Sequence, residues 1–130
     1  MGLPYLNNFE SDYKFIVQFF REEIKGLVIA AEKFDIKQNL SITAISELRS
    51  AFDHLMRADS AKYGIYSEEE IFEESGLGIV EYYKTNLDKA LAHLFRAGYD
   101  AYDIIAIGLI DQIDSMLNEI SPKTCIYSNN

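Results

Sequence analysis

The sequence of 130 residues has one cysteine, two prolines and no tryptophan. Because Cys125 has no second cysteine to pair with, an internal disulfide is excluded, and a packed core has to stabilise the chain. A lone cysteine is typical of a reducing compartment and predicts a cytoplasmic protein. Pro4 and Pro122 lie near the two ends, so no proline interrupts a helix between them.

Long apolar runs and positive charge are scarce as well. The longest apolar run, residues 104–110, is far too short to span a bilayer, so no membrane partner is predicted. Lysine and arginine total 12 against 21 aspartates and glutamates, which gives a net charge of −9. This balance disfavours broad contact with nucleic-acid phosphates and suits a basic protein partner.

Apolar residues recur at intervals of three and four along most of the chain, which is the spacing of half-buried helices. The predicted helices cover residues 9–34, 42–62, 68–74 and 77–120. The pattern predicts a single all-α domain over residues 1–130. It is a helical bundle of three to four long helices plus a short acidic helix.

Local signals mark the ends of these helices. Ser41 is predicted to cap the second helix, and Ser67 with Glu70 forms a capping box before the short acidic one. Residues 1–8 are predicted to be an N-terminal arm. Residues 121–130 are predicted to be a C-terminal tail, because proline follows Ser121 and ends a helix.

The last predicted helix is longer than a bundle of this size requires. At 1.5 Å per residue it spans roughly 60 Å. Either it breaks or kinks at Gly98 or Gly108, or its end packs on another chain. Its apolar residues cover more than half of its circumference, which predicts a homodimer or a stable protein partner. The predicted interface residues are Tyr99, Tyr102, Ile107 and Ile110.

Two segments of the chain nearly repeat each other. They read ELRSAFDHLMRA over residues 47–58 and NLDKALAHLFRA over residues 86–97. Each segment contains one of the two histidines, His54 or His93, and an arginine follows each histidine three residues later. On a helix, each histidine lies on a narrow polar stripe of an otherwise apolar surface. In the second helix, Phe52 and Leu55 lie on the opposite side.

Two interpretations of these stripes remain open. Both stripes face water, or the two helices are antiparallel neighbours whose stripes meet in one polar centre, where buried charges have to be paired. The residues of such a centre are Glu47, His54, Arg57, His93, Arg96, Asp100 and Asp103. Neither stripe has the Glu-x-x-His spacing of di-iron bundles, so no metal and no cofactor are predicted.

The segment from Arg49 to His54 has the form Arg-x4-His, and HLFRAGYDAYD follows from His93. Over residues 42–110 the chain resembles HEPN domains, small helical bundles of bacterial toxins and antiviral systems. The resemblance implies an HEPN-like fold and a dimer. It also implies metal-independent RNA cleavage, in which Arg49 steadies the phosphate and His54 acts as acid or base.

Two hypotheses of function follow. The first is a non-catalytic interaction or accessory subunit of a bacterial defence or toxin–antitoxin complex, assembling through its long C-terminal helix. A basic effector is one candidate partner. The alternative is an HEPN-type metal-independent endoribonuclease that uses Arg49 and His54, and RNA is a partner only in this reading. The sequence itself names no reaction and leaves open whether the chain is an enzyme.

Overall fold

The computed structural model describes residues 4–35 and 41–128, with side chains for residues 6–35 and 41–120. A short 3-10 helix, Pro4–Phe9, is followed by five α-helices and one π-helical turn. In chain order these are α1 (Glu10–Phe19), the π-helical turn (Phe20–Ile24), α2 (Lys25–Phe34), α3 (Ser41–Lys62), α4 (Glu68–Ser75) and α5 (Ile79–Ser128). Residues 4–35 and 41–128 contain no strand, and the predicted all-α bundle is confirmed.

The core lies along one side of α5. Its buried residues alternate at intervals of three and four, which keeps them on one face: Tyr83, Leu87, Ala90, Leu94, Ala97, Ala101 and Ile104. The face of α3 that packs there carries Ala44, Ala51 and Ala58, one alanine every seven residues. Such small side chains let the two helix backbones lie close together. The α1–α2 segment covers the rest of the core with Ile16, Ile24, Val28 and Ala31.

The predicted start of the second long helix needs a correction. The helix α3 includes Ser41 as its first residue instead of beginning after it. The Ser41 backbone amide donates a hydrogen bond of 2.6 Å to the Asp35 carboxylate, so Asp35 satisfies an amide that has no partner inside the helix. Around α4 the predicted capping box of Ser67 and Glu70 is confirmed, and Gly76 ends that helix at a φ of 74°.

The long helix α5 is not interrupted at either glycine. Instead, each glycine lies where a side chain of the α1–α2 segment, residues 10–34, packs against α5. A Cβ added at Gly108 would lie 2.7 Å from the Cβ of Phe34, and one at Gly98 would lie 2.9 Å from the Cδ1 of Ile24. These two positions therefore serve packing, and α5 continues unbroken past the end of the bundle.

The two chain ends also differ from the prediction. From Pro4 the predicted arm is a 3-10 helix, and Leu6 lies fully buried in the core; residues 1–3 lie outside the described residues. At the other end α5 runs through Pro122 to Ser128. A proline inside a helix removes one amide donor, and here the helix continues across that loss. Among the helices described, none is long and apolar enough to cross a membrane.

Candidate functional site

The side chains of the two histidines meet between α3 and α5. Their rings stack with centroids 5.3 Å apart and planes inclined by 10°. The Nδ1 of His54 lies 2.9 Å from the Oδ1 of Asn86, and the Nδ1 of His93 lies 2.6 Å from the Oε2 of Glu47. Each hydrogen bond thus joins the histidine of one helix to a residue of the other helix that lies N-terminal to that helix's own histidine. This crossing places α3 and α5 antiparallel.

The repeated motif has a geometric counterpart here. Glu47 precedes His54 by seven residues, and Asn86 precedes His93 by seven. Each histidine binds the residue that opens the other copy of the motif. The near-repeat therefore corresponds to a local pseudo-two-fold arrangement of α3 and α5, with the stacked imidazoles at its centre.

The hydrogen bonds define which ring nitrogens carry protons. The Asn86 amide nitrogen donates to the Tyr82 carbonyl at 2.9 Å, which leaves the amide oxygen to accept from His54. Glu47 is a carboxylate and accepts from His93. Both histidines therefore donate from Nδ1. Neither Nε2 has a protein partner among the described residues.

Arg96 lies beside this hydrogen bond without forming part of it. Its Nη1 is 3.5 Å from the Nδ1 of His93. Because that Nδ1–H is directed at Glu47, and a guanidinium nitrogen only donates, the Arg96 contact is electrostatic. Arg96 is exposed, so its guanidinium stays largely in contact with solvent.

A second carboxylate shares the same end of the centre. Asp100 is half-buried on α5. Burial above all, and then the negative charges of Glu47 and Asp103, raise the pKa of the Asp100 carboxyl above its usual range. The side of Glu47 therefore holds two carboxyl groups and the Arg96 guanidinium, whereas His54 meets a neutral amide at Asn86.

Arg57 lies outside the polar centre. It forms a salt bridge of 2.9 Å with Asp53 one turn earlier on α3, and both side chains are at least half exposed. The predicted pairing of Arg57 with an acidic side chain is thus present, with Asp53, and no hydrogen bond joins Arg57 to either histidine among the described residues. Only Arg96 lies against a histidine.

Arg49 lies on a different face of α3 from His54. It lines an apolar groove of about 510 Å³ formed by α1, the π-helical turn, α3 and α5, and the lining also includes Arg21, Phe20 and Phe52. His54 points instead toward Asn86 on α5. In the part of the chain that the structure describes, Arg49 thus lines this groove and His54 does not.

Sequence reasoning did not single out two features of this region. Asn86 was missed, although the alignment of the two motif copies pairs it with Glu47 and could have identified it. The groove was missed because the apolar side chains of α3 suggest a buried face. Phe52 is in fact 63% exposed.

The predicted interface residues Tyr99, Tyr102, Ile107 and Ile110 are all exposed on α5. Among residues 6–35 and 41–120, no group of three or more histidine, cysteine or acidic side chains is placed to hold a metal ion. No family model, curated protein or solved structure matches this chain.

Proposed function

We propose that this chain is a non-catalytic interaction subunit that assembles through α5. The observation that carries the proposal is the row of large apolar side chains that α5 exposes beyond the core. Within residues 107–120 these are Ile107, Leu109, Ile110, Ile113, Met116, Leu117 and Ile120, each 44–62% exposed. Contiguous exposed apolar surface of this size is characteristic of a protein–protein contact.

The chemistry of the polar centre supports the same role. Both histidines use Nδ1 to join α3 to α5, and their rings cover each other. Neither histidine lines the groove of about 510 Å³. Stacked, cross-bonded imidazoles of this kind fix the relative position of two helices, and a rigid helix pair is a suitable base for an extended contact surface.

The wider setting that we propose is a cytoplasmic bacterial defence or toxin–antitoxin complex. The complex is suggested by the resemblance of residues 42–110 to HEPN domains, and the compartment by the lone Cys125. Beyond the contact through α5, the net charge of −9 favours a basic protein as a further partner in such a complex.

The test is affinity purification of the tagged full chain from its native host, using three versions of it. Ile113→Asp puts a charge into the exposed apolar row, and Asn118→Asp adds the same charge on the opposite side of the same helix. We expect a partner protein to co-purify in a constant ratio with the wild type and with Asn118→Asp. We expect this partner to be lost with Ile113→Asp. Equal recovery with all three versions would refute assembly through α5.

A further inference from the structure

The exposed side of α5 carries a regular seam, which we call the outer seam. Its members alternate at intervals of four and three residues: Phe95, Tyr99, Tyr102, Ala106, Leu109, Ile113, Met116 and Ile120. All eight are exposed. This spacing has an average period of 3.5 residues, which is the period of helices that pair in a coiled coil.

The opposite side of α5 changes character along its length. Ala97 and Ile104 are buried against the bundle, whereas Asp111 and Asn118, at the next positions of the same row, are polar and exposed. Beyond the bundle the helix is therefore apolar on the outer seam and polar behind it. A helix that only continued the core would have apolar residues at positions 111 and 118.

We infer that the outer seam binds the outer seam of a second copy of this chain as an antiparallel pair of helices. This inference deepens the proposed function and rests on it, because it identifies the partner that α5 binds first. A two-fold pair of this kind uses the same surface on both copies, so the seam has to be complementary to itself.

The exposed area of the seam and its flanks is comparable with the area that one partner contributes to a stable dimer. Nine large apolar side chains contribute, each 42–67% exposed: Phe95, Tyr99, Tyr102, Leu109, Ile110, Ile113, Met116, Leu117 and Ile120. With roughly 200 Å² for each side chain when fully exposed, they present on the order of 900 Å² per chain. A standard protein–protein interface takes about 800 Å² from each partner.

The order of side chains favours the antiparallel arrangement. The aromatic residues occupy the first half of the seam and the flexible aliphatic residues occupy the second half. With Phe95 opposite Ile120 of the other copy, Tyr99 meets Met116, which is a favourable sulfur–aromatic contact. At the centre the small Ala106 then lies opposite Leu109 of the other copy, so that each helix contributes one small and one large side chain there.

Charge favours the same orientation. Each copy carries a net charge of −9. A parallel pair would hold the two acidic bundles side by side, whereas an antiparallel pair puts them at opposite ends of the paired helices. The antiparallel arrangement therefore minimises the repulsion between the two copies.

The first experiment measures mass by light scattering at tens of micromolar for the purified full chain. We expect a dimer for the wild type and for Asn118→Asp, and a monomer for Ile113→Asp with unchanged helical circular dichroism. Both substitutions add one negative charge to the same helix, so only the position differs. A monomeric wild type, or a dimer that persists in Ile113→Asp, would overturn the inference.

The second experiment tests orientation by disulfide formation in a Cys125→Ser background. Chains with Phe95→Cys and chains with Ile120→Cys are mixed and oxidised. We expect disulfides only between unlike chains, whereas disulfides between like chains would overturn the antiparallel arrangement. A monomeric wild type that still loses a different protein partner in Ile113→Asp would reject self-pairing and leave the proposed function standing.

Discussion

At the scale of single residues, the exchange of hydrogen bonds between the two motif copies organises the α3–α5 interface. The two bonds are unequal, because His93 donates to a carboxylate and His54 donates to an amide oxygen. A hydrogen bond with a charged partner contributes about 1.5–3 kcal/mol and a neutral one about 1 kcal/mol. The side of Glu47 therefore contributes more to the stability of the fold than the side of Asn86.

The first prediction follows from this asymmetry. His93→Ala should lower the free energy of unfolding by about 2 kcal/mol, because Glu47 keeps a charge that has lost its hydrogen-bond donor. His54→Ala should cost about 1 kcal/mol. Because the rings stack, the double variant should lose less than the sum of the two. Urea denaturation of the four proteins measures this cycle.

Arg57→Ala is the control for that cycle. It removes an exposed ion pair on the same helix and should change stability by less than about 1 kcal/mol. If the losses from the two histidine variants simply add, the rings do not interact, and the pseudo-two-fold centre is not an energetic unit.

The second prediction concerns Asp100 and pH. Its pKa is raised in the folded chain above the ordinary value of 3.8, so near that pH the folded state binds more protons than the unfolded state. The stabilisation that comes from protonated Asp100 is present at low pH and is lost as the pH rises through the pKa of Asp100 in the folded chain. At pH 7 the ionised Asp100 is thus unfavourable. Asp100→Asn should stabilise the fold by about 0.5 kcal/mol at pH 7.

Thermal melts of Asp100→Asn at pH 7 and pH 3 check this prediction. The gain should shrink at pH 3, where the carboxyl of the wild type is protonated. Asp114→Asn, an exposed substitution of the same kind farther along α5, should give no comparable gain. A loss of stability in Asp100→Asn at pH 7 would show that the carboxylate has a favourable partner.

At the scale of secondary-structure elements, the distance between neighbouring helices distinguishes the faces that pack in the core from the faces that stay exposed. Alanines let α3 approach α5, and glycines let the α1–α2 segment approach it from another side. The larger apolar side chains of α3 are left to line the groove. The contacts between helices in this bundle are therefore determined by the smallest side chains, because these permit the shortest distance between helix axes.

The third prediction tests this account with two glycines. Gly108→Ala should destabilise the fold by about 1 kcal/mol or more, because its new methyl group collides with Phe34. Gly26→Ala meets nothing within 4 Å and should stabilise the fold by about 0.5–1 kcal/mol through helix propensity. Chemical denaturation compares both variants with the wild type. An equal gain from both substitutions would show that α2 can retreat from α5 without cost.

At the scale of the whole molecule, one helix serves both the core and the surface. The inner side of α5 is buried from Tyr83 to Ile104, and its outer side is exposed from Phe95 to Ile120. The chain as a whole is acidic, with a net charge of −9. This net charge disfavours binding to a polyanion, and the apolar stripe is the surface on which the proposed protein contact rests.

The fourth prediction is that the purified chain does not cleave RNA in the presence of EDTA. The physical reasons are the net charge and the separation of Arg49 from His54 on different faces of α3. Incubation with a labelled single-stranded RNA, followed by electrophoresis, measures cleavage. EDTA-resistant cleavage that disappears in a folded His54→Ala variant would instead support the HEPN-type ribonuclease.

The sequence by itself determined which residues form helices and which residues share a face. Apolar spacing and the capping residues Ser67 and Glu70 act over a few neighbours, so the ends of α4 and the extent of α3 could be read within a residue or two. The same local rules misplaced the end of α5, because one proline removes a single hydrogen bond from a long helix.

Only the tertiary structure decided which faces meet. A helical period is equally compatible with His54 facing water or facing His93. It is also equally compatible with Phe52 lying in the core or beside a groove. The choice depends on how closely the other helices approach, and therefore on side-chain sizes at contacts that are distant in sequence. The alanines of α3 permit a closer approach to α5 than Phe52 does, so they form the interface, and the histidines beside them are brought together.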